Sequence, residues 1–289
     1  MTQDLDLGHL RQVATGVAYR MVGSRTEAED LAQEALVRLS AAAGAEELRS
    51  PEAYVTTVAT RLSIDHLRLA RVQREEYLGP WLPEPVSDDV LEDGAEAAVV
   101  ADNLSFALLS VLEALGPVER AAFLLREVFG YGYDEVAEVL DRSEPACRQM
   151  VARARKRVEA GRPRRTVERD EHRRVLDRFL AATREGDVEG LVAVLAEDAV
   201  LVSDGGRETK AARRPVEGRD RIARFLRSIG PKALGGRRVE VVAINGEPGF
   251  VALVDGEVAL AGTVEVEDGH VTAVRWVLNP DKLHWVHAP

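Results

Sequence analysis

The 289-residue sequence predicts a multidomain protein with two all-α domains, the second containing a helix-turn-helix, followed by an α+β domain with a curved antiparallel sheet. Three observations predict this architecture. Apolar residues recur at helical spacing through the first 160 residues or so. A proline-dense, acidic stretch near residue 80 interrupts the helical pattern. Beyond about residue 199, short β-branched runs alternate with turn dipeptides, which is typical of antiparallel pairing.

The first predicted domain, residues 1–78, is helical throughout. Its clearest helix begins at a capping-box pattern, Thr26 to Glu29, and buries a regular apolar face from Ala28 to Leu39. The opposite face carries Glu27, Asp30, Gln33 and Glu34. The pattern alone would make this face a solvated, acidic surface.

The next helix begins at Ser50 and Pro51, because serine caps a helix and proline is tolerated in its first turn. Its outward residues include Arg61, Asp65, Arg68 and Arg71. Together with nearby threonine hydroxyls they could follow a nucleic-acid strand through phosphate contacts.

Residues 79–103 form a predicted acidic linker. Its Gly79 to Pro85 segment is too rich in proline for a helix, and Trp81 and Leu82 are costly to leave in water unless they dock on a surface. No lysine or arginine occurs between Glu75 and Glu119. Such a segment could mimic nucleic acid, thread a basic channel of a partner, or serve as a plain tether.

The second predicted domain, residues 104–162, ends in a helix-turn-helix. Val136, Val139 and Leu140 form one inner face, and Cys147 starts the inner face of the second helix. The outer face of that helix carries Arg148, Gln149, Arg153 and Lys156. Arginine and glutamine can bind base edges bidentately and basic residues can neutralise phosphates, so this face suits a DNA major groove. An ordinary solvated helix is the alternative.

The net charge of −11 is unusual for a DNA-binding protein, but the charges are segregated along the chain. The single cysteine cannot form an internal disulfide and is expected to be a small buried residue. The first ten residues lack the basic and apolar regions of a signal peptide, and no run approaches membrane-spanning length. A cytoplasmic protein without membrane contact is expected.

A basic linker, residues 163–170, precedes a C-terminal domain of different composition, residues 171–289. Two amphipathic helices should come first, followed by strands and one more helix, Arg219 to Ile229. The predicted strands are Ala199–Ser203, Arg238–Ile244, Phe250–Val254, Val258–Val266 and Val271–Leu278. Helices gathered on one side of an antiparallel sheet are the economical arrangement, and such a domain often holds a pocket.

These motifs, in this order, resemble a known family. The segment Ala28 to Ala35, the arginine-rich helix and the stretch from Leu115 to Val158 resemble regions 2 and 4 of extracytoplasmic-function (ECF) sigma factors of the sigma-70 family. Three more motifs are similar to those of the subgroup with a fused SnoaL-like domain, related in fold to ketosteroid isomerases. They are WLPEP (Trp81, Leu82, Pro83, Glu84, Pro85), DGG (Asp204, Gly205, Gly206) and NPDKL (Asn279, Pro280, Asp281, Lys282, Leu283). After DGG, Arg207 and Glu208 replace the glycine and basic residue expected from this subgroup.

The resemblance implies a role for each set of residues. Glu27, Asp30, Gln33 and Glu34 would bind the core of bacterial RNA polymerase. Arg61, Asp65, Arg68 and Arg71 would contact the −10 element of promoter DNA, and Arg148, Gln149, Arg153 and Lys156 the −35 element. Because Trp81 and Leu82 need an apolar seat, we further predict that the C-terminal domain docks against the WLPEP linker or against sigma region 2, through the DGG and NPDKL residues, and thereby regulates the chain. No cofactor, metal or catalytic residue is expected.

Other functions remain open from the sequence. Asp198, Asp204, His270 and Trp276 are candidates for acid–base chemistry, but their spacing defines no pair, and this fold does not by itself imply catalysis. The C-terminal pocket could bind an unknown small ligand. We expect the chain to be a sigma factor that is a monomer when free. Two alternatives are a ligand-sensing repressor and an isomerase-like or cyclase-like enzyme with a DNA-binding module.

Overall fold

A computed structural model describes residues 6–43, 50–75, 77–91, 105–161 and 167–288. The chain forms two compact units. Of the described residues, unit 1 contains 6–43, 50–75 and 108–161, and unit 2 contains 77–91, 105–107 and 167–288. The linker thus groups with the C-terminal domain. Within the described ranges, no helix is long and apolar enough to cross a membrane.

Unit 1 begins with three packed helices, α1 (Leu7–Val22), α2 (Arg25–Ala43) and α3 (Pro51–Glu75). The predicted cap of α3 is confirmed, because the Ser50 hydroxyl accepts a hydrogen bond from the Ala53 amide. The predicted cap of α2 is two residues too late. Ser24, after the left-handed Gly23, accepts from the Glu27 amide instead of Thr26 starting the helix.

Two short helices follow in the chain, α4 (Asp88–Leu91) in the linker and α5 (Phe106–Leu112). The second half of unit 1 then contains α6 (Pro117–Phe123), a π-helical turn (Leu124–Val128), α7 (Tyr133–Leu140) and α8 (Glu144–Gly161). The predicted helix-turn-helix is formed by α7 and α8, joined at Asp141 in the left-handed conformation. Cys147 is fully buried, as predicted.

From residue 167 onward, unit 2 combines three α-helices with a six-stranded sheet and a 3-10 turn at Pro280–Lys282. The helices are α9 (Arg169–Glu185), α10 (Val188–Val194) and α11 (Arg219–Ala233), and the strands are β1 (Leu195–Asp204), β2 (Val216–Glu217), β3 (Arg238–Ile244), β4 (Glu247–Val254), β5 (Glu257–Glu267) and β6 (His270–Val277). The strand order is β2-β1-β6-β5-β4-β3. Strands β1 and β6 run parallel, and the other neighbours are antiparallel. Register shifts in three pairs bend the sheet.

Both faces of the sheet are covered. Side chains such as Phe250 and Trp276 pack on one face against the apolar stripe of α9, including Phe179. The other face, which we call the linker face, packs Val251 and Val277 against two groups of residues outside the sheet. These are Leu82 and Phe106 from the linker region, and Leu283 and Val286 from the C-terminal tail. Double coverage explains why the middle of β4 is buried on every residue, with no alternation.

Candidate functional site

The outer face of α8 is exposed in the way the sequence predicts. Arg148, Gln149, Arg153 and Lys156 are all exposed, whereas Cys147, Val151, Ala154 and Val158 are buried against the rest of unit 1. Arg148 also stacks its guanidinium 4.3 Å from the centre of the Tyr133 ring. This face therefore offers guanidinium, amide and ammonium groups in one row, a suitable surface for base edges and phosphates.

Carboxylates from earlier segments and from the first turn of α8 ion-pair with all four arginines of this helix. Glu119 binds Arg153 at 3.3 Å and Arg157 at 2.6 Å. Glu127 binds Arg155 at 2.8 Å. Arg148 pairs with Glu144 one turn earlier at 3.2 Å. Such exposed pairs are worth about 0–1 kcal/mol each, so phosphate oxygens can replace the carboxylates.

The candidate −10 residues lie on α3. Arg61 donates from Nε to the Val139 carbonyl at 2.9 Å and from Nη2 to the Glu138 carbonyl at 3.0 Å. Its guanidinium is thus bound at the C-terminal end of α7, the first helix of the helix-turn-helix. Arg68 and Asp65 are exposed and form an ion pair at 3.0 Å. Arg71 lies within α3, and its side chain is outside the described part of the structure.

The candidate core-binding residues lie on α2. Asp30, Gln33 and Glu34 are exposed and recur at the spacing of one helix face. Glu34 pairs with Arg38 at 2.8 Å. Glu27 is half-buried, and its Oε2 lies 3.0 Å from Nε2 of His66. The free acidic surface is thus narrower than the sequence suggests, because Glu27 turns toward α3.

Residues of all three short motifs meet at the buried carboxylate of Asp204, an arrangement that we call the Asp204 hub. The side chain of Asp204 is 0% exposed. Its Oδ1 accepts hydrogen bonds from the Tyr77 hydroxyl at 2.5 Å and the Gly206 amide at 3.1 Å. Its Oδ2 accepts from the Leu82 amide at 2.9 Å and from Lys282 Nζ at 2.7 Å. The strand end, the linker and the C-terminal tail are joined through one carboxylate.

Lys282 supplies the positive charge of the hub. Its Nζ ion-pairs with Asp204 and also donates to the Leu82 carbonyl at 2.5 Å. The same ammonium lies 3.8 Å from the centre of the Trp81 ring and 5.1 Å from that of Tyr77. A buried ammonium needs this combination of a carboxylate, a carbonyl and aromatic faces to offset its lost hydration. Burial and the neighbouring Asp204 carboxylate raise the pKa of Tyr77, so its hydroxyl remains a donor.

The DGG and NPDKL residues shape the hub without all being buried in it. A Cβ on Gly205 would overlap the following turn, and one on the left-handed Gly206 would lie 2.7 Å from the Asn279 side chain. The Asn279 amide also donates to the Tyr77 hydroxyl at 3.0 Å. Arg207 and Glu208, the residues that depart from the expected motif, are exposed. Pro280 and Asp281 are exposed as well, whereas Pro83, Glu84, Pro85 and Leu283 are buried.

A second attachment of the linker, which the sequence does not indicate, lies at the β3–β4 turn. Asn245 and Val86 exchange hydrogen bonds, at 2.9 Å between backbones and 3.1 Å through the Asn245 side chain. Asp88 accepts from the Gly246 amide at 2.7 Å. The Asn-Gly pair signals a hairpin turn, but nothing in it signals that the asparagine is buried under a linker. Tyr77 is likewise missed, because it lies before the WLPEP motif.

The four candidates for acid–base chemistry do not converge. Asp198 and His270 are exposed, Asp204 points to the linker face, and Trp276 is buried on the opposite, helix-covered face of the sheet. A different carboxyl, Glu247, has its pKa raised to about 7 by burial and by the nearby Glu265. Among the described residues, no three His, Cys, Asp or Glu side chains are placed to hold a metal ion.

Comparisons with known proteins agree with this architecture. Sigma-70 region 2 matches residues 7–72, Sigma-70 region 4 matches 105–158, and the SnoaL-like domain matches 176–279. ECF RNA polymerase sigma factor SigJ of Mycobacterium tuberculosis is 38% identical over 95% of this chain and 91% of its own length. Probable ECF RNA polymerase sigma factor SigI of the same species is 30% identical over 94% and 92%.

A solved structure agrees with the sequence relatives. The crystal structure of the Mycobacterium tuberculosis extracytoplasmic function sigma factor SigJ superposes with a TM-score of 0.76, at 36% identity over 95% of this chain and 96% of that one. The predicted family and fold class are confirmed by these matches, which reach through both helical domains and the sheet domain. The chain belongs to the extracytoplasmic-function sigma factors that carry a fused SnoaL-like C-terminal domain.

Proposed function

We propose that this chain binds the core of bacterial RNA polymerase, directs initiation at promoters with defined −10 and −35 elements, and is regulated in cis by its C-terminal domain. The Asp204 hub is the observation that carries the regulatory part. Family membership supports the transcriptional part. The roles assigned to single residues belong to the same proposal.

For DNA, we assign the outer face of α8 to the −35 element and the exposed face of α3 to the −10 element. Arg148, Gln149 and Arg153 are exposed on α8, and carboxylates pair with the two arginines. Phosphates would displace those carboxylates with little loss of energy. In the free chain Arg61 is bound to carbonyls of α7, so contact with the −10 element requires that this bond is released.

For the polymerase, we assign the face of α2 that carries Asp30, Gln33 and Glu34. Val37 continues that face one turn further and is 58% exposed, an unusual exposure for a valine. An apolar residue at the edge of a polar face is typical of protein interfaces, which need some dry area in addition to charge pairs. An acidic docking surface also accounts for part of the net negative charge.

Regulation would act through the length of the free tether between the DNA-binding domains. Residues 76–104 connect α3 to the region 4 segment, and 29 extended residues reach about 100 Å. Residues 77–91 are held on the C-terminal domain, so they no longer extend freely, and only fourteen residues of this connection remain. Docking therefore restricts how far regions 2 and 4 can separate, and release of the hub would permit a wider range of promoter geometries.

We propose further that the C-terminal domain is not catalytic and that the free chain is monomeric. Trp276 and Phe250 are both buried and pack edge-to-face with ring centres 6.3 Å apart. A methyl group on Gly262 would lie 2.5 Å from the Phe250 ring. The core is therefore filled at this position, where an isomerase-like site would need space for a substrate. The scattered acid–base candidates support the same reading.

The experiment is in vitro transcription with bacterial core polymerase on promoters selected from a genomic library. The promoter spacing between the two elements is varied by single base pairs, and the full chain is compared with Lys282→Met, Trp81→Ala and the exposed-lysine control Lys232→Met. Release of the linker should broaden the range of active spacings in the first two variants only. A chain ending after Arg169 should behave in the same way.

Two results would contradict the proposal. The first is an unchanged range of active promoter spacings in variants whose linker has become sensitive to protease. It would show that the linker is released without any effect on promoter choice, so docking would not be regulatory. If the full chain fails to direct initiation but binds duplex DNA tightly without polymerase, the repressor function replaces the sigma factor. Because Arg61 is bound to the carbonyls of α7, we expect the free chain to bind duplex promoter DNA weakly.

A further inference from the structure

The segment from loop 205 to the start of β3 carries a strong local positive charge. Between Gly205 and Arg238 there are eleven arginines and lysines and three carboxylates, in a chain whose net charge is −11. Nine of the eleven are arginines. The segment belongs to the SnoaL-like domain, so it lies outside the two helices assigned to the promoter elements.

Helix α11 arranges part of this charge in a row. Arg221, Arg224 and Arg227 recur at three-residue spacing and are exposed, while Ile222 and Leu226 anchor the opposite side of the helix in the core. The row spans about 9 Å at the helical rise of about 1.5 Å per residue. Near the helix, Arg207, Lys210, Arg213 and Arg214 are exposed on the loop that leads to β2.

These arginines differ from those of α8 in their partners. On α8, Arg148, Arg153, Arg155 and Arg157 are each paired with a glutamate. Among the residues that the structure describes, no carboxylate lies within ion-pairing distance of the three arginines of α11. Unpaired like charges in a row repel one another, and a bound polyanion would relieve that repulsion.

The surroundings favour a phosphate backbone over an acidic protein surface. The large apolar residues that are exposed in the described chain are Leu7, Val37, Leu69, Leu78 and Val254, all outside this segment. Protein interfaces have cores that are depleted of charge and enriched in aromatic and aliphatic groups. DNA presents about one phosphate per 1.7 Å of its axis, to which rows of arginine bind without an apolar core.

We propose that the basic face of the C-terminal domain, formed by Arg221, Arg224 and Arg227 of α11, binds the phosphate backbone of duplex promoter DNA in the polymerase-bound complex. The contact carries no sequence information and adds affinity to that of the two promoter-reading domains. This proposal rests on the sigma-factor role of the chain and is independent of linker docking. The SnoaL-like domain then acts as a third DNA-contacting module.

The test compares salt dependence of promoter binding by holoenzyme. One variant is Arg221→Gln/Arg224→Gln/Arg227→Gln, and its control is Arg173→Gln/Arg174→Gln/Arg178→Gln, which removes the same charge from exposed positions on α9. The association constant K falls as salt rises, and each lost phosphate contact makes the slope of log K against log salt shallower by about 0.9. Three contacts make the affinity of the wild type fall roughly 40-fold more than that of the variant between about 50 and 200 mM salt. The control should keep the wild-type slope.

Three other outcomes would overturn the proposal. If the α11 variant keeps the wild-type slope but binds core polymerase less tightly without DNA, the face contacts an acidic protein surface. If neither slope nor core affinity changes, the face is only solvated. If both triple variants lower the slope equally, the effect is that of net charge. Absence of promoter binding by the wild-type holoenzyme would instead refute the sigma-factor proposal itself.

Discussion

Substitution of Lys282 by methionine should release the linker from the C-terminal domain. Methionine keeps much of the length of lysine but removes the ammonium that binds Asp204 Oδ2 at 2.7 Å and the Leu82 carbonyl. The side chains of the ion pair are 7% and 0% exposed, so water cannot replace the lost partner without opening the hub. The buried carboxylate would keep three neutral donors, from Tyr77, Leu82 and Gly206.

The size of the effect follows from this burial. Removing one member of a buried ion pair costs about 3–5 kcal/mol, and the three remaining donors favour a value near 3 kcal/mol. Asp204→Asn should cost a similar amount, because it leaves a buried ammonium. The double variant leaves no buried charge, and we expect it to cost clearly less than the two single variants together. The coupling energy should be at least about 2 kcal/mol.

Tryptophan fluorescence measures this cycle selectively. All three tryptophans, Trp81, Trp276 and Trp285, lie in unit 2, so denaturant titrations followed by fluorescence report that unit. Chymotrypsin cleavage between Trp81 and Leu82 reports linker opening, and a loss of about 3 kcal/mol raises its rate by roughly 100-fold where opening limits access. Additivity of the two single substitutions within about 0.5 kcal/mol would show that the ion pair does not hold the linker.

Three further predictions concern other parts of the chain. Arg120→Met should destabilise unit 1 by about 3 kcal/mol, because the buried guanidinium bonds the Met21 carbonyl at 2.5 Å and Glu113 at 2.7 Å. In this variant a thiol reagent should modify the buried Cys147, the only cysteine, roughly 100-fold faster than in the wild type. An unchanged rate of modification would refute the predicted destabilisation. Glu247→Gln should alter the pH dependence of unit 2. The pKa of Glu247 in the folded state, about 7, lies above the ordinary 4.5. The wild type therefore becomes less stable as the pH rises from about 4.5 to 7, because the unfolded chain ionises this carboxyl first. The two proteins should be similar at about pH 5, and the variant should be more stable by about 2 kcal/mol at about pH 8; parallel stability curves would contradict the assignment. Gly262→Ala should lower the stability of unit 2 by about 2 kcal/mol, because the added methyl overlaps the Phe250 ring. An unchanged unfolding transition in calorimetry would show that the core has room for the methyl group.

Helical periodicity predicted the inner and outer faces of α8 correctly because each face is a local property of one helix. Cys147 and Val158 are buried and Arg153 is exposed as the spacing requires. The spacing does not show which carboxylates pair with the outer face. Glu119 and Glu127 come from segments 28 or more residues earlier and pair with that face. Such contacts depend on tertiary packing, which local spacing does not encode.

The three short motifs were recognised from the sequence, but their common partner was not. Nothing in the spacing of Trp81, Asp204 and Lys282 indicates that one carboxylate joins them, since 78 residues separate the members of the ion pair. Tyr77 was assigned to the preceding domain because it lies before the proline-rich stretch. Asn245 was missed for a related reason, since a buried turn asparagine looks the same in sequence as an exposed one.

The contacts at the proposed DNA-binding faces and those at the hub differ in strength in a way that would suit the proposed regulation. Exposed arginines of α8 pair with the partly buried side chains of Glu119 and Glu127, and Arg61 donates to the carbonyls at the end of α7. The ion pairs of α8 are worth about 1 kcal/mol or less each, so phosphates would displace these carboxylates one at a time. The Asp204 hub is buried, and its charges cannot separate without a cost of several kcal/mol. Under the proposed function, the arginines of α8 would readily exchange their glutamates for phosphates, whereas the linker would stay docked until polymerase or another partner supplied the energy to release it.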